Sequence, residues 1–218
     1  MQLLEISLLS DDIDATAKFY NGKLGLPIIR TSDETLVVQI GSTEVQFIQS
    51  IDLKPVYHLA FNIPWNQLEV ALAWTKEKID VIPFEGNELV DFPNWDAKTF
   101  YFRDNNGNIL EMIGRFGLPV ESDEPFDEKS IINVSELAVV ADQVTNFTEV
   151  LTTIYGLPVF GKQPIQPTFS ALGDETGLLI ITATGRNWFP TETRADKFYA
   201  RVKLFVHGQE KELVFNKS

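Results

Sequence analysis

The hydrophobic pattern of this chain changes period in repeating blocks. Leu4, Ile6 and Leu8 lie on one side of an alternating segment, Leu3–Leu9, with Leu3, Glu5, Ser7 and Leu9 on the other. That alternation predicts a strand with one face against a helix. Ser10-Asp11-Asp12 then offers side-chain oxygens to the free N–H groups of a helix start. Ile13, Thr16, Ala17, Tyr20 and Leu24 recur at helical spacing, and Gly25 and Pro27 end the run. Ile28–Thr31, Leu36–Ile40 and Glu44–Gln49 read as three short strands, so the block is β-α-β-β-β.

The block then repeats. Tyr57, Leu59, Phe61 and Ile63 face one way along a predicted strand, with His58, Ala60 and Asn62 facing the other. Pro64 opens a helix with an apolar stripe of Leu68, Ala71, Leu72, Thr75 and Ile79. Val81–Phe84, Thr99–Arg103 and Ile109–Ile113 complete the second block, and the long loop before Lys98 carries Phe92 and Trp95. Long loops of this kind often cover a site. Phe116–Ser130 holds two prolines and five acids and reads as a linker. A third block begins with a strand over Val134–Val140 and a helix over Asp142–Ile154. Glu136 precedes Gly156 by the 20 residues that separate Glu5 from Gly25, and YGLP at Tyr155–Pro158 echoes LGLP at Leu24–Pro27. Internal repetition outranks local assignments. The expected fold is α+β, built of tandem β-α-β-β-β modules. Residues 1–115 form a two-module domain, 116–130 an acidic linker, and 131–218 a third, degenerate module with C-terminal strands.

Three such modules, with FYNGKLGLP after the first helix and FRDNNGNILEM closing the second, resemble the vicinal oxygen chelate superfamily of glyoxalases, bleomycin resistance proteins and extradiol dioxygenases. In that family paired modules curl around an open cleft, and metal ligands point inward from the first and last strand of each module. Carried over one position at a time, the resemblance implies Glu5 and Gln46 from the first module, and His58 and Glu111 from the second. Alternation independently puts each on the strand face opposite its helix-packing neighbours. A lone strand histidine is more often hydrogen-bonded or hydrated than metal-bound; the four positions together carry the reading. Glyoxalase I enzymes use a similar set, with the Gln and Glu of the first module exchanged relative to this chain.

Such ligands suit Zn, Ni, Mn, Co or Fe as divalent ions. The resemblance implies a metal-dependent lyase or isomerase that moves a proton on a small oxygenated substrate, with Glu5 or Glu111 as base. Two readings stand beside it. One is a non-enzymatic small-molecule-binding protein of the bleomycin-resistance kind. The other is a ring-cleaving dioxygenase, disfavoured because that chemistry uses two histidines and a carboxylate, whereas the chain has only His58 and the tail residue His207. Arg103 and Tyr101, sharing one strand face, are expected to meet substrate together with Trp95 and Asn62; Arg103 alternatively pairs with Asp104. Glu136 repeats Glu5, but the matching last strand, Gly177–Thr182, is apolar, so a second metal site is not expected there.

Composition narrows the partners. A formal net charge of −13 repels a phosphate backbone and argues against nucleic acid. Without cysteine there is no disulfide framework, and no run has membrane-spanning length, which together point to a cytoplasmic protein. The unpaired third module is expected to find its partner in a second chain, as a homodimer, or in the strands of its own tail.

Overall fold

The computed structural model describes residues 1–216. The first module comprises β1 (Gln2–Ser10), α1 (Ile13–Ala17), which widens to π geometry over Lys18–Lys23, and β2 (Ile28–Thr31), β3 (Thr35–Ile40) and β4 (Thr43–Gln49). Asp12 caps α1 by accepting from the Ala15 N–H at 2.8 Å. The second comprises β5 (His58–Ile63), α2 (Leu68–Lys76), β6 (Val81–Ile82), β7 (Val90–Phe92), β8 (Ala97–Arg103) and β9 (Ile109–Arg115). The third has β10 (Asn133–Ala141), α3 (Val144–Thr153), β11 (Phe169–Asp174) and β12 (Gly177–Ala183); β13 (Ala200–Val206) and β14 (Gln209–Phe215) follow. Where the first two modules have another strand after the helix, the third keeps only a bridge between Val159 and Leu172. Among the described residues no helix is long and apolar enough to cross a membrane.

The modules do not pair in the order in which they are written. An eight-stranded sheet runs β11-β12-β10-β5-β9-β8-β6, with β7 on β8, and so joins the second module to the third. A six-stranded sheet runs β14-β13-β1-β4-β3-β2, where the terminal hairpin completes the first module. The third module's first strand therefore finds its partner, β5, within the same chain. Both junctions are antiparallel pairings onto a module's first strand, β10 on β5 and β13 on β1.

One apolar core fills the space behind both sheets. Leu59, Phe61 and Ile63 of β5, Phe100 and Phe102 of β8, Leu110 and Met112 of β9, and Leu137 and Val139 of β10 all enter it with Ile6 and Leu8 of β1. Alternation sends the intervening residues of the large sheet to its other face, where His58, Tyr101, Glu111, Glu136 and Ile180 line a cavity.

The Asp104–Asn108 turn fastens this sheet to the first module. Asp104 accepts from the Asn106 and Asn108 N–H groups, both at 2.9 Å, and from the Tyr20 hydroxyl at 2.9 Å. Asn108 accepts from the Tyr57 N–H at 2.7 Å, and Asn105 donates to Thr16 at 3.0 Å. Gly107 supplies the φ of 80° that closes the turn, a conformation costly for a residue with a Cβ. Burial raises the Asp104 carboxyl to about 6, against the pull of its hydrogen bonds. At Gly41 the constraint is contact: a Cβ there would sit 2.1 Å from the Ile132 carbonyl oxygen, where the chain enters β10.

Candidate metal centre

Three strands bring an imidazole and two carboxylates together on the cavity floor. His58 opens β5, Glu111 is central in β9 and Glu136 lies in β10; one donor atom from each falls within 4.8 Å of the other two. The His58 Nδ1 lies 3.1 Å from the Ile109 carbonyl oxygen, which can only accept, so the proton sits on Nδ1. Nε2 then points inward, 3.4 Å from Glu111 Oε2 and 3.8 Å from Glu136 Oε2. A backbone carbonyl fixing the outer nitrogen is the usual arrangement behind a metal-ligating histidine. The His58, Glu111 and Glu136 side chains are only 11%, 5% and 6% exposed, so their charges are felt at low dielectric.

Arg115 supports this group from below. Its side chain is fully buried and its Nη2 hydrogen-bonds Glu136 Oε1. Its Nε donates to Asn62 Oδ1 at 3.3 Å, and Asn62 in turn donates to Asn133 at 3.1 Å. The electrostatics follow from this packing. Burial alone would depress His58, but hydrogen bonds and charge from Glu111 and Glu136 reverse that and raise it to about 9. Burial pushes Glu136 up, and His58 and Arg115 more than offset it, so the carboxyl is lowered and stays ionised. The Tyr101 phenol is driven well above its ordinary value by burial and then by the charges of Glu111 and Glu136.

The four positions taken from the family pattern divide between the sheets. His58 and Glu111 lie at the centre. Glu5 and Gln46 lie in the six-stranded sheet, where Glu5 meets Lys203 at 3.3 Å and Arg201 at 3.9 Å, and Gln46 accepts from Ser7 at 3.0 Å. Glu136 joins His58 and Glu111 instead. Its repeat relation to Glu5 was the available signal, but the order of module pairing decides which of the two acids reaches His58. Ile180 fills the remaining slot: it faces Ala138, two residues on from Glu136, as Gln46 faces Ser7, two residues on from Glu5. Of the expected substrate residues, Tyr101 and Trp95 line the cavity, while Asn62 braces Arg115 from outside it. Arg103 is committed to the Gly107 carbonyl at 2.9 Å and the Thr193 hydroxyl at 2.9 Å. Trp188, which the pattern did not single out for the site, has its ring 6.1 Å from that of His58.

The cavity above the centre has a volume of about 740 Å³. Its walls come from the β7–β8 segment, from Lys162–Phe169 and from Arg186–Phe189. The donor set fits a divalent ion: two carboxylates and an imidazole whose Nε2 can exchange its proton for the metal while Nδ1 stays bonded to the Ile109 carbonyl.

No family model and no curated protein matches this chain. Solved structures do. A putative dioxygenase from Bacillus subtilis superposes with a TM-score of 0.63 at 14% identity, over 98% of this chain and 84% of that one. A glyoxalase I variant from Zea mays gives 0.56 at 15% identity, over 89% of this chain and 70% of the other. The chain shares the fold of these dioxygenase and glyoxalase structures. At these identities the likeness is one of fold, and the chemistry has to be argued from the site.

Proposed function

We propose that the protein is a divalent-metal-dependent lyase or isomerase that moves a proton on a small oxygenated substrate, with His58, Glu111 and Glu136 as the ligands. The convergence of these three side chains at the floor of the cavity carries the reading. When bound, the ion supplies Lewis acidity that polarises substrate oxygens and acidifies an adjacent C–H. Glu136 is tied to Arg115 and is the fixed member of the pair. Glu111 has no cationic side chain other than His58 against it among the described residues, so it is the carboxylate free to take the proton. The Tyr101 hydroxyl beside it keeps its proton and can donate to the carboxylate or to a substrate oxygen. Ile113, Ile180 and Trp188 exclude water from this corner of the cavity. One imidazole to two carboxylates is the inverse of the ratio that oxygen-activating iron triads use, which favours proton transfer over ring cleavage.

A second reading has its own observation. Without an ion the cluster balances itself, since protonated His58 lies between two carboxylates and Arg115 neutralises one of them. A metal-free binding protein is built on the same atoms. Elemental analysis of protein purified without chelator separates the two. The metal reading expects one equivalent per chain, lost in Glu111→Ala and Glu136→Ala and kept in Glu5→Ala and Gln46→Ala. A metal-free protein that takes up none of Mn²⁺, Co²⁺, Ni²⁺ or Zn²⁺ in calorimetry leaves the binding-protein reading.

A further inference from the structure

We propose that the cavity selects an aromatic anion, with its charged group on the Arg186 guanidinium at the outer end and its ring between Trp95, Phe169 and Phe189. The inference rests on the cavity being a ligand site, as the proposed function holds, but not on a metal in it.

Charge balance singles out Arg186. Two other charged groups line the outer cavity, and both are matched. Lys162 bonds Glu175 and lies 3.7 Å from Asp96, and Asp91 lies 3.9 Å from Lys98. Arg186 has no carboxylate within ion-pair distance among the described residues; its guanidinium carbon sits 4.6 Å from the centre of the Phe169 ring. Partial burial draws its pKa down with no neighbouring acid opposing the shift. A guanidinium that is partly desolvated and unpaired is a prepared partner for a carboxylate, phosphate or sulfonate.

The backbone holds Arg186 in place. The Arg186 carbonyl accepts from the Ala195 N–H at 2.8 Å, and the Trp188 N–H donates to the Thr193 carbonyl at 2.8 Å, so the segment is a short ladder rather than a free loop. Trp188 reaches down to His58, with ring centres 6.1 Å apart. Two residues of extended chain place Arg186 roughly 6–7 Å further out, about the length of a substituted benzene ring. The walls of that interval are aromatic. The Phe189 ring lies 5.6 Å from Tyr101 and 5.7 Å from Phe92, and the Trp95 ring lies 6.4 Å from Phe169. Such edge-to-face surroundings favour a planar ring over an aliphatic chain.

The test uses cinnamate and its neutral amide as probes, titrated calorimetrically into the 218-residue protein. Cinnamate is expected to bind about tenfold or more tightly than cinnamamide, with Arg186→Gln removing that preference and Arg186→Lys restoring part of it. The amide's own affinity stays within about twofold across the three proteins. A parallel titration after EDTA treatment separates this idea from the metal assignment. A preference for the acid that survives EDTA and disappears in Arg186→Gln supports the subsite, whatever the metal result. A preference that disappears with EDTA and persists in Arg186→Gln places the carboxylate on the metal and overturns it. Equal affinity for acid and amide, or no binding of either at millimolar concentration, overturns it as well.

Discussion

An arginine lies between two glutamates in the six-stranded sheet, and a histidine lies between two glutamates in the eight-stranded one. The correspondence extends to register. Glu5 faces Lys203 across β1–β13, and Arg201 stands two residues before it; Glu136 faces Ala60 across β10–β5, and His58 stands two residues before it. Each pairing shifts register immediately ahead of the acid, after Leu3 and after Val134. The second acid corresponds too, since Glu212 faces Lys203 and Glu111 faces Ala60. Arg201 lies 2.7 Å from Glu212 and 3.9 Å from Glu5. What differs is the cation and its solvent. A guanidinium has no lone pair to offer a metal and keeps its proton, whereas an imidazole can exchange its proton for an ion. The acids around Arg201 are 41% and 52% exposed, those around His58 only 5% and 6%. One plan yields a hydrated surface brace in the first case and a coordination centre in the second.

That contrast can be broken most severely at Arg115. Arg115→Met leaves Glu136 buried without its permanent partner and is expected to cost about 3–5 kcal/mol. Arg201→Met, its partly exposed counterpart as a partner of acids, should cost about 1 kcal/mol or less. Urea unfolding of the two variants checks the difference, and equal losses would erase the distinction between the sheets.

Next comes the metal itself. His58→Gln removes the only imidazole in either cluster and should reduce bound metal to about a tenth of an equivalent or less. Arg201→Gln should leave it at the wild-type level. Elemental analysis after dialysis reads both.

The pH dependence of metal-free protein gives a smaller, graded signal. His58 is held at about 9 in the folded state against an ordinary 6.5, so its contribution is fully present below pH 6.5 and is lost as pH rises through 9. Asp104, raised from 3.8 to about 6, behaves with the same sign in a lower window: its contribution is complete below pH 3.8 and is lost as pH rises through 6. Arg201 stays charged throughout and adds no slope. Urea midpoints measured in EDTA should fall across the upper window, with His58→Gln flattening that fall, and the difference between wild type and Asp104→Asn should change across the lower window, where Glu136 acts in the opposite sense. The smallest effect is expected from Glu5→Gln, about 0.5 kcal/mol or less, because Glu5 and its partners are all in contact with solvent; differential scanning calorimetry would reveal anything larger.

The modules were legible because their cores obey period-two and helical patterns. The alternation of His58, Ala60 and Asn62 against Leu59, Phe61 and Ile63 gave the correct cavity face of β5. Glu111 was legible for the same reason. The company these residues keep was not. The first strands share the same mix of apolar and polar positions, so nothing local to β1, β5 or β10 says which joins which. Pairing in written order would bring Glu5 to His58; the observed pairing brings Glu136. β11 escaped the pattern because FSALGD is short, with small residues and a glycine, and β7 because VDF is only three residues long. Arg186 had no sequence signal at all, since its distinction is the absence of a neighbouring acid.

The terminal hairpin also imposes a timetable on synthesis. The edge of β1 is completed by β13, so Glu5 meets Lys203 at a sequence separation of 198. The large sheet, whose last strand is β12, has every partner once Ala183 has left the ribosome. β1 must wait, with one edge of backbone donors and acceptors open, until β13 follows. Contacts this distant are slow to form, and an unpaired strand edge invites association with other nascent chains. A chaperone that shields β1 during this interval would act on a segment whose sheet is finished last.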